Sequence, residues 1–524
     1  MSSRSDVIAR GGIVASSHSL AVTAGLEILR KGGTAYDAAI ATSAVLAVVE
    51  PSSSHLGGDA FVISHRKKDQ ENLAFNGSGE APHGAVRENF TDQIPLHGYK
   101  SATVPGLVST WFAIHEYGGS LPIAELLTPA IEYASNGFPT NRVIAKRITA
   151  NQKEFPELFA AMGIRTPLER GDLITQPDLA RSLRIIATEG RAGFYEGEIA
   201  NHLVEGTAGW FNQDDLRNHK TRVLPPLSIK YRDHLIHGQP PPSQGMILME
   251  ELLIAEGFDL ADASAAERIH LMVEAKKIAF ADRNDLLGDP ELVDVGLERL
   301  FSAASIADRR ARIDPNRANN QPSRSSQEGN DTTYFLVADR DGNALSWIQS
   351  LFHSFGSSWA IPGTGIILNN RLTGFSLDSK SPNYLAPGKR PAHTLNAWLA
   401  TRSDGSLALV GGTPGANIQV QTNFQLVVNA LDLKMSPQEN VEAPRWQHLN
   451  RPFANDDVEN FHGILQIENR LPYSVLAELK RRGHQVQELP PFGHGSAVQL
   501  LEVRPDGTYI AGSDPRAEGL AAGF

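Results

Sequence analysis

Apolar residues first recur at helical spacing in residues 18–31, where Leu20, Ala24, Ile28 and Leu29 share a face and Gly32-Gly33 closes the run. Thr34 caps a second predicted helix, which runs through Asp37-Ala38-Ala39-Ile40 to Val49 and stops before Pro51. Its density of Ala and Val predicts burial on more than one side. His55-Leu56-Gly57-Gly58-Asp59 then turns into a strand-like run, Ala60-Phe61-Val62-Ile63. From about 105 to 315 the pattern is mainly helical, punctuated by Pro105-Gly106, Gly137-Phe138-Pro139 and Pro240-Pro241-Pro242. The clearest helix there spans Glu267 to Arg283, with Ile269, Val273, Lys276 and Phe280 at helical spacing.

The pattern changes at 315–331, a polar stretch without a large apolar side chain, which predicts an exposed, mobile segment. Beyond it, Tyr334-Phe335-Leu336-Val337-Ala338 and Ala344-Leu345-Ser346-Trp347-Ile348 flank Asp341-Gly342-Asn343, which reads as a β-hairpin. Further strands are expected at 365–369, 396–400, 407–411, 497–503 and 508–511, and helices near 418–432 and 472–482. Helix-rich flanks around blocks of strands predict an α+β architecture, with sheets packed together and covered by helices.

Composition narrows the function. The 524 residues carry 48 Lys and Arg against 59 Asp and Glu, a net charge of −11, with no basic stripe of the kind nucleic acid requires. With no cysteine, disulfides, thiolate catalysis, iron–sulfur clusters and cysteine–zinc sites are excluded. No run reaches the roughly 18 apolar residues of a membrane helix. The first twenty residues lack the roughly 7–15-residue apolar core of a secretory signal. A soluble, cytoplasmic protein is expected. The 17 histidines show no HxxxH or HExxH spacing, which argues against zinc catalysis.

The informative junction is Gly329-Asn330-Asp331-Thr332-Thr333-Tyr334, where the polar segment meets a hydrophobic strand. Thr332 and Thr333 read plainly as β-formers that open the strand. They also permit a sharper reading, in which Thr332 becomes a new N-terminus. Its hydroxyl would attack the Asp331 carbonyl, and hydrolysis of the resulting ester would free its α-amine. That amine, with a reference pKa of about 7.7–8.0, can act as base for the hydroxyl of the same residue.

Taken together, the motifs resemble the γ-glutamyltranspeptidase family of N-terminal-nucleophile hydrolases along nearly the whole chain. The large half carries Gly12-Ile13-Val14-Ala15-Ser16-Ser17-His18, Val49-Glu50-Pro51…Gly57-Gly58, Val104-Pro105-Gly106, Pro240-Pro241-Pro242-Ser243 and Glu274-Ala275-Lys276…Ala281-Asp282-Arg283. The small half adds Asp331-Thr332-Thr333, Asp341-Gly342-Asn343-Ala344, Asn369-Asn370, Gly388-Lys389-Arg390-Pro391 and Ser513-Asp514-Pro515-Arg516. The resemblance implies a four-layer αββα sandwich and a precursor that cuts itself into a large subunit, 1–331, and a small one, 332–524, forming one composite domain. It implies Thr332 as nucleophile and Thr333 and Ser350 as the hydroxyls that orient it. The amides of Gly415 and Ala416, in Gly412-Thr413-Pro414-Gly415-Ala416, would form the oxyanion hole, with no metal or cofactor.

The family's γ-glutamyl clamps are largely missing. The stretch matching its carboxylate-binding arginine is Gly77-Ser78-Gly79-Glu80-Ala81-Pro82, and its amine-binding positions correspond to Phe352, Arg371 and Gly374. Its two serines correspond to His393 and Thr394. These departures resemble the acylase-like and amidohydrolase branches. There Arg371 and His393, with Thr394 and Phe352 beside them, would bind a small anionic amide. In the alternative, Arg371 pairs with a local acid such as Asp378 and His393 packs structurally. The expected function is hydrolysis of such an amide through an acyl-enzyme. The competing functions are hydrolysis or transfer of γ-glutamyl groups from glutathione-like donors, and an unprocessed protein that only binds. The expected partners are the small-molecule substrate, the chain's own two subunits and possible further copies of that pair.

Overall fold

The computed structural model describes residues 3–164, 167–320, 331–449 and 463–524. Most of the predicted 315–331 polar segment lies outside the described residues.

Two seven-stranded antiparallel sheets form the centre. The first runs Leu520–Gly523, Gly12–Ser16, Asp331–Asp339, Ala344–Phe352, Asp59–Arg66, Glu71–Asn76 and Arg222–Leu224. The second runs Val7–Ala9, Tyr509–Ser513, Gln499–Val503, Leu407–Gly412, Trp398–Arg402, His234–Gly238 and Leu227–Tyr231. Side chains alternate across a strand, and the strand Asp331–Asp339 shows what that alternation builds. Tyr334, Leu336 and Ala338 join Leu399, Val410 and Leu501 in a core between the sheets. Phe335 and Val337 point the other way, into a core shared with the helices Ser19–Arg30 and Ala35–Val49. On the far side, Trp398, Ala400 and Leu409 pack with the helices Gly245–Ala255, Ala265–Leu286 and Ile418–Leu431. The layers are therefore helix, sheet, sheet, helix, as expected.

Local chemistry explains the central helix. Thr34 accepts from the Asp37 amide while Asp37 accepts from the Thr34 amide, a capping box. Every residue of Ala35–Val49 is buried, as a helix apolar on all sides must be. The hairpin is also as predicted, with Ala338 opposite Ala344. Other expectations change. The opening forms two strands before its first helix, and the mainly helical stretch 105–315 supplies three strands between Arg222 and Gly238. Ser228, Lys230 and Leu235 face outward there, so the apolar signal of these strands is thin. The predicted strand 365–369 shrinks to Ile366–Ile367, and that at 396–400 shifts to Trp398–Arg402.

Candidate active site

Thr332 stands second in the strand Asp331–Asp339, where a register shift lies between Asp331 and Thr333. Its neighbour Ala344–Phe352 brings Ser350 alongside, and Asp59 of the next strand pairs with Ser350. Two glycines allow the approach to that strand: a Cβ on Gly58 would lie 2.5 Å from the Ser350 carbonyl oxygen, and one on Gly57 2.1 Å from that of Ile367.

The Thr332 hydroxyl donates to the Asp331 carbonyl oxygen at 2.7 Å and lies 3.1 Å from Ser350 Oγ. Ser350 Oγ donates to the same carbonyl at 2.8 Å and accepts from the Phe352 amide at 2.8 Å. Thr333 turns to the other face, its Oγ1 2.8 Å from Ser17 Oγ, which donates to Glu50 at 2.7 Å. Burial raises the Glu50 carboxyl above its ordinary range, and the hydroxyls of Ser17 and Thr333 oppose the shift. Thr332 and Ser350 thus converge on one carbonyl, while Thr333 is held in a buried hydroxyl–carboxyl chain.

Asp331 is itself gripped. Arg147, from the helix Arg142–Asn151, reaches both its carboxylate oxygens with Nη1 at 2.8 Å, and Ser53 donates to it at 2.6 Å.

Beside this point lies a cavity of about 640 Å³, lined by Phe352, Gly374, His393, Thr394, Asn417 and Arg283 among others. Thr332, 7% exposed and still joined to Asp331, does not line it. The loop after strand Leu407–Gly412 forms the neighbouring rim. Gly415 and Ala416 take positive φ values of 125° and 49°, and among the described residues their amides donate to no protein acceptor. Gln244 bridges this rim to the wall, donating to the Ala416 carbonyl at 2.9 Å and the Thr394 carbonyl at 2.8 Å. Arg283, at the end of the predicted helix from Glu267, donates to Asn417 at 2.6 Å.

Arg371 differs from the expected substrate ligand. It is 1% exposed, does not line the cavity, and turns its Nε onto Asp59 at 3.1 Å, with the guanidinium 4.2 Å from the Phe352 ring centroid. Its partner is thus the distant Asp59 rather than Asp378. His393 does face the cavity, but its Nε2 lies 2.8 Å from the same Asp59 carboxylate. Burial disfavours the Asp59 anion, yet Arg371 and His393 together hold its carboxyl below the usual range. Burial, helped by Arg371, lowers His393 to about 4, so it stays neutral at physiological pH. His55 accepts the Ile367 amide in a buried turn and does not line the cavity.

For metals, His270, Glu274 and His484 place ligand atoms within 4.8 Å of one another, the one such group among the described residues. They already bond to partners, His270 to His484 at 2.8 Å and Glu274 to Lys277 at 2.7 Å. Among the described residues no helix is long and apolar enough to cross a membrane.

The profile of the family described as Gamma-glutamyltranspeptidase matches residues 21–524. The chain belongs to this family. It is 36% identical to a "Glutathione hydrolase-like YwrD proenzyme" of Bacillus subtilis strain 168, covering 99% of each. It is 34% identical to an "Oxamate amidohydrolase proenzyme" of Klebsiella pneumoniae, covering 98% of each. Its structure matches a crystal structure of cephalosporin acylase from Bacillus halodurans with a TM-score of 0.90 at 33% identity, over 100% of this chain and 98% of that one. The chain is accordingly a self-processing N-terminal-nucleophile hydrolase, made as a proenzyme whose large and small subunits stay associated. Sequence reasoning missed Asp59, Arg147, Ser53 and Gln244 at this site. Ser53 sits in a motif that was noticed for its glycines, while Arg147 looks like any cation on an amphipathic helix.

Proposed function

We propose that this enzyme cuts itself between Asp331 and Thr332 and then uses Thr332 to hydrolyse a small anionic amide through an acyl-enzyme. The observation that carries this reading is the convergence of Thr332 Oγ1 and Ser350 Oγ on the Asp331 carbonyl oxygen, at 2.7 and 2.8 Å. In self-cleavage, Thr332 Oγ bonds to the Asp331 carbonyl carbon, the C–N bond breaks, and the hydroxyl proton passes to the departing nitrogen. Water then splits the ester, leaving a carboxyl on Asp331 and the hydroxyl on Thr332. In turnover the α-amine takes the hydroxyl proton and returns it to the leaving amine. The Gly415 and Ala416 amides are the donors for the oxyanion, where one such donor is commonly worth about 2.7–4 kcal/mol.

The test is mass measurement on the purified chain, followed by an amide screen. Fragments 1–331 and 332–524 in the wild type, with a single uncut and inactive chain in Thr332→Ala, are expected. An intact but active wild type would refute the mechanism. The glutathione hydrolase-like relative favours a second reading, γ-glutamyl hydrolysis or transfer. Against it stand Phe352, Arg371 and Gly374 at the ammonium-binding positions. Strong stimulation by dipeptide acceptors with a γ-glutamyl donor would establish it.

A further inference from the structure

Cleavage does more than free an amine; it also cuts the covalent link to Thr332 that helps hold the Asp331 side chain in its place. In the uncut chain that place is a built carboxylate seat. Arg147 Nη1 lies 2.8 Å from both carboxylate oxygens, Ser53 Oγ donates at 2.6 Å, and Ser52 and Ser53 each accept from Arg147, at 3.1 and 3.0 Å. Ser52 and Ser53 are buried, whereas the Arg147 side chain is 39% exposed, so the seat opens to solvent on its cationic side. It also touches the reacting residue, because the Thr332 nitrogen lies 3.2 Å from Asp331 Oδ1.

The ester formed during self-cleavage, with Asp331 acylating Thr332 Oγ, is chemically an acyl-enzyme. Its acyl group has a carbonyl carbon, then Cα, then Cβ, then a carboxylate. A substrate acyl group that reproduced this arrangement would carry its carboxylate two carbons beyond the scissile carbonyl. By contrast, the buried Arg371 is already matched by Asp59 and does not face the cavity. Were residue 331 to move away after the cut, Arg147 would lose its acid partner.

We propose that Arg147, Ser52 and Ser53, filled by Asp331 in the precursor, become the carboxylate subsite of the mature enzyme. The subsite selects monoamides of four-carbon dicarboxylic acids. This rests on Thr332 being the nucleophile. The self-cleavage substrate and the turnover substrate are then read by one anion seat, first in cis and afterwards in trans.

The test uses the matured two-subunit protein and ammonia release from oxamate, malonamate, succinamate and glutaramate, with neutral butanamide as the length-matched control. Succinamate is expected to be the best of the acids. Its kcat/KM relative to butanamide should fall roughly 10- to 150-fold in Arg147→Gln, the range for losing one charge-assisted hydrogen bond, mostly through KM. Using the ratio removes any effect of incomplete maturation, since both substrates report on the same active fraction. Should Arg147→Gln fail to mature at all, Arg147→Lys and Ser53→Ala provide the second arm, each with a smaller fall in the same ratio. An unchanged ratio in variants that turn over butanamide, or a length optimum at oxamate or glutaramate, overturns the proposal while leaving the Thr332 mechanism standing. A matured protein that hydrolyses none of these amides, nor any other in a broad amide screen, overturns the mechanism itself.

Discussion

Replacing Arg371 by methionine tests whether this arginine belongs to the fold or to the substrate. The shape of the stem is kept and the charge removed. Asp59 then loses its contacts at 3.1 and 3.4 Å, and keeps only His393 at 2.8 Å in a wholly buried setting. Breaking a buried pair by removing one partner costs about 3–5 kcal/mol, because the other charge is left uncompensated. The stacking of the cation on Phe352 is lost as well. The loss has a pH signature. Burial first, and Arg371 second, keep His393 neutral down to about 4. Without Arg371 the histidine moves up toward its ordinary value, protonates on acidification and replaces the missing cation beside Asp59. The deficit should therefore be largest near pH 8 and shrink toward pH 5.5. Urea unfolding in the Thr332→Ala background measures this on one continuous chain, free of subunit dissociation. In the cleavable background, kcat/KM should change in parallel for anionic and neutral amides. A stability loss below about 1 kcal/mol, with a KM increase confined to anionic amides, would return Arg371 to the substrate.

Ser350→Ala removes a donor from the Asp331 carbonyl and should slow self-cleavage about 10²–10³-fold, followed by mass against time; a rate within twofold of the wild type would exclude that role. His18, His237 and His393 are lowered to about 4, and His55, His484 and His494 to about 3, all chiefly by burial. The unfolded chain binds protons at these sites below about pH 6.5 while the native one does not, so stability should fall as pH drops from about 6.5 to 4. Thermal midpoints of the uncut Thr332→Ala chain that rise over this window would contradict the assignment.

Much of the frame was legible because it rests on periodicity and caps. The Thr34–Asp37 box, the run of small apolar residues to Val49 and the Asp341-Gly342-Asn343 hairpin are local signals, and each element formed where its residues place it. The strands between Arg222 and Gly238 escaped notice because Arg222–Leu224 and Leu227–Tyr231 close sheet edges, where a strand paired on one side needs few apolar residues. His234–Gly238, paired on both sides, carries only Leu235 and Ile236 as large apolar residues. Thr332, Thr333 and Ser350 were singled out through motif resemblance; the structure brings Thr332 and Ser350 to one carbonyl, while Thr333 turns to Ser17 on the other face. Asp59, Arg147 and Gln244 could not be read at all. Their partners stand 312, 184 and 172 residues away in sequence, and only the stacked sheets bring them together.

The strand order has a consequence for the life of the enzyme after cutting. In one sheet Gly12–Ser16 is sandwiched between Leu520–Gly523 and Asp331–Asp339; in the other Val7–Ala9 closes one edge while His234–Gly238 flanks Trp398–Arg402. A cut before Thr332 thus yields two pieces woven through both sheets, and neither holds a complete sheet alone. Dilution cannot part them without tearing ladders of hydrogen bonds, so the nicked molecule should persist at any concentration. Denaturation, however, becomes a one-way event on practical timescales. An uncut chain keeps its halves tethered, whereas two pieces must first meet, because a cut before Thr332 removes the link that made their encounter intramolecular.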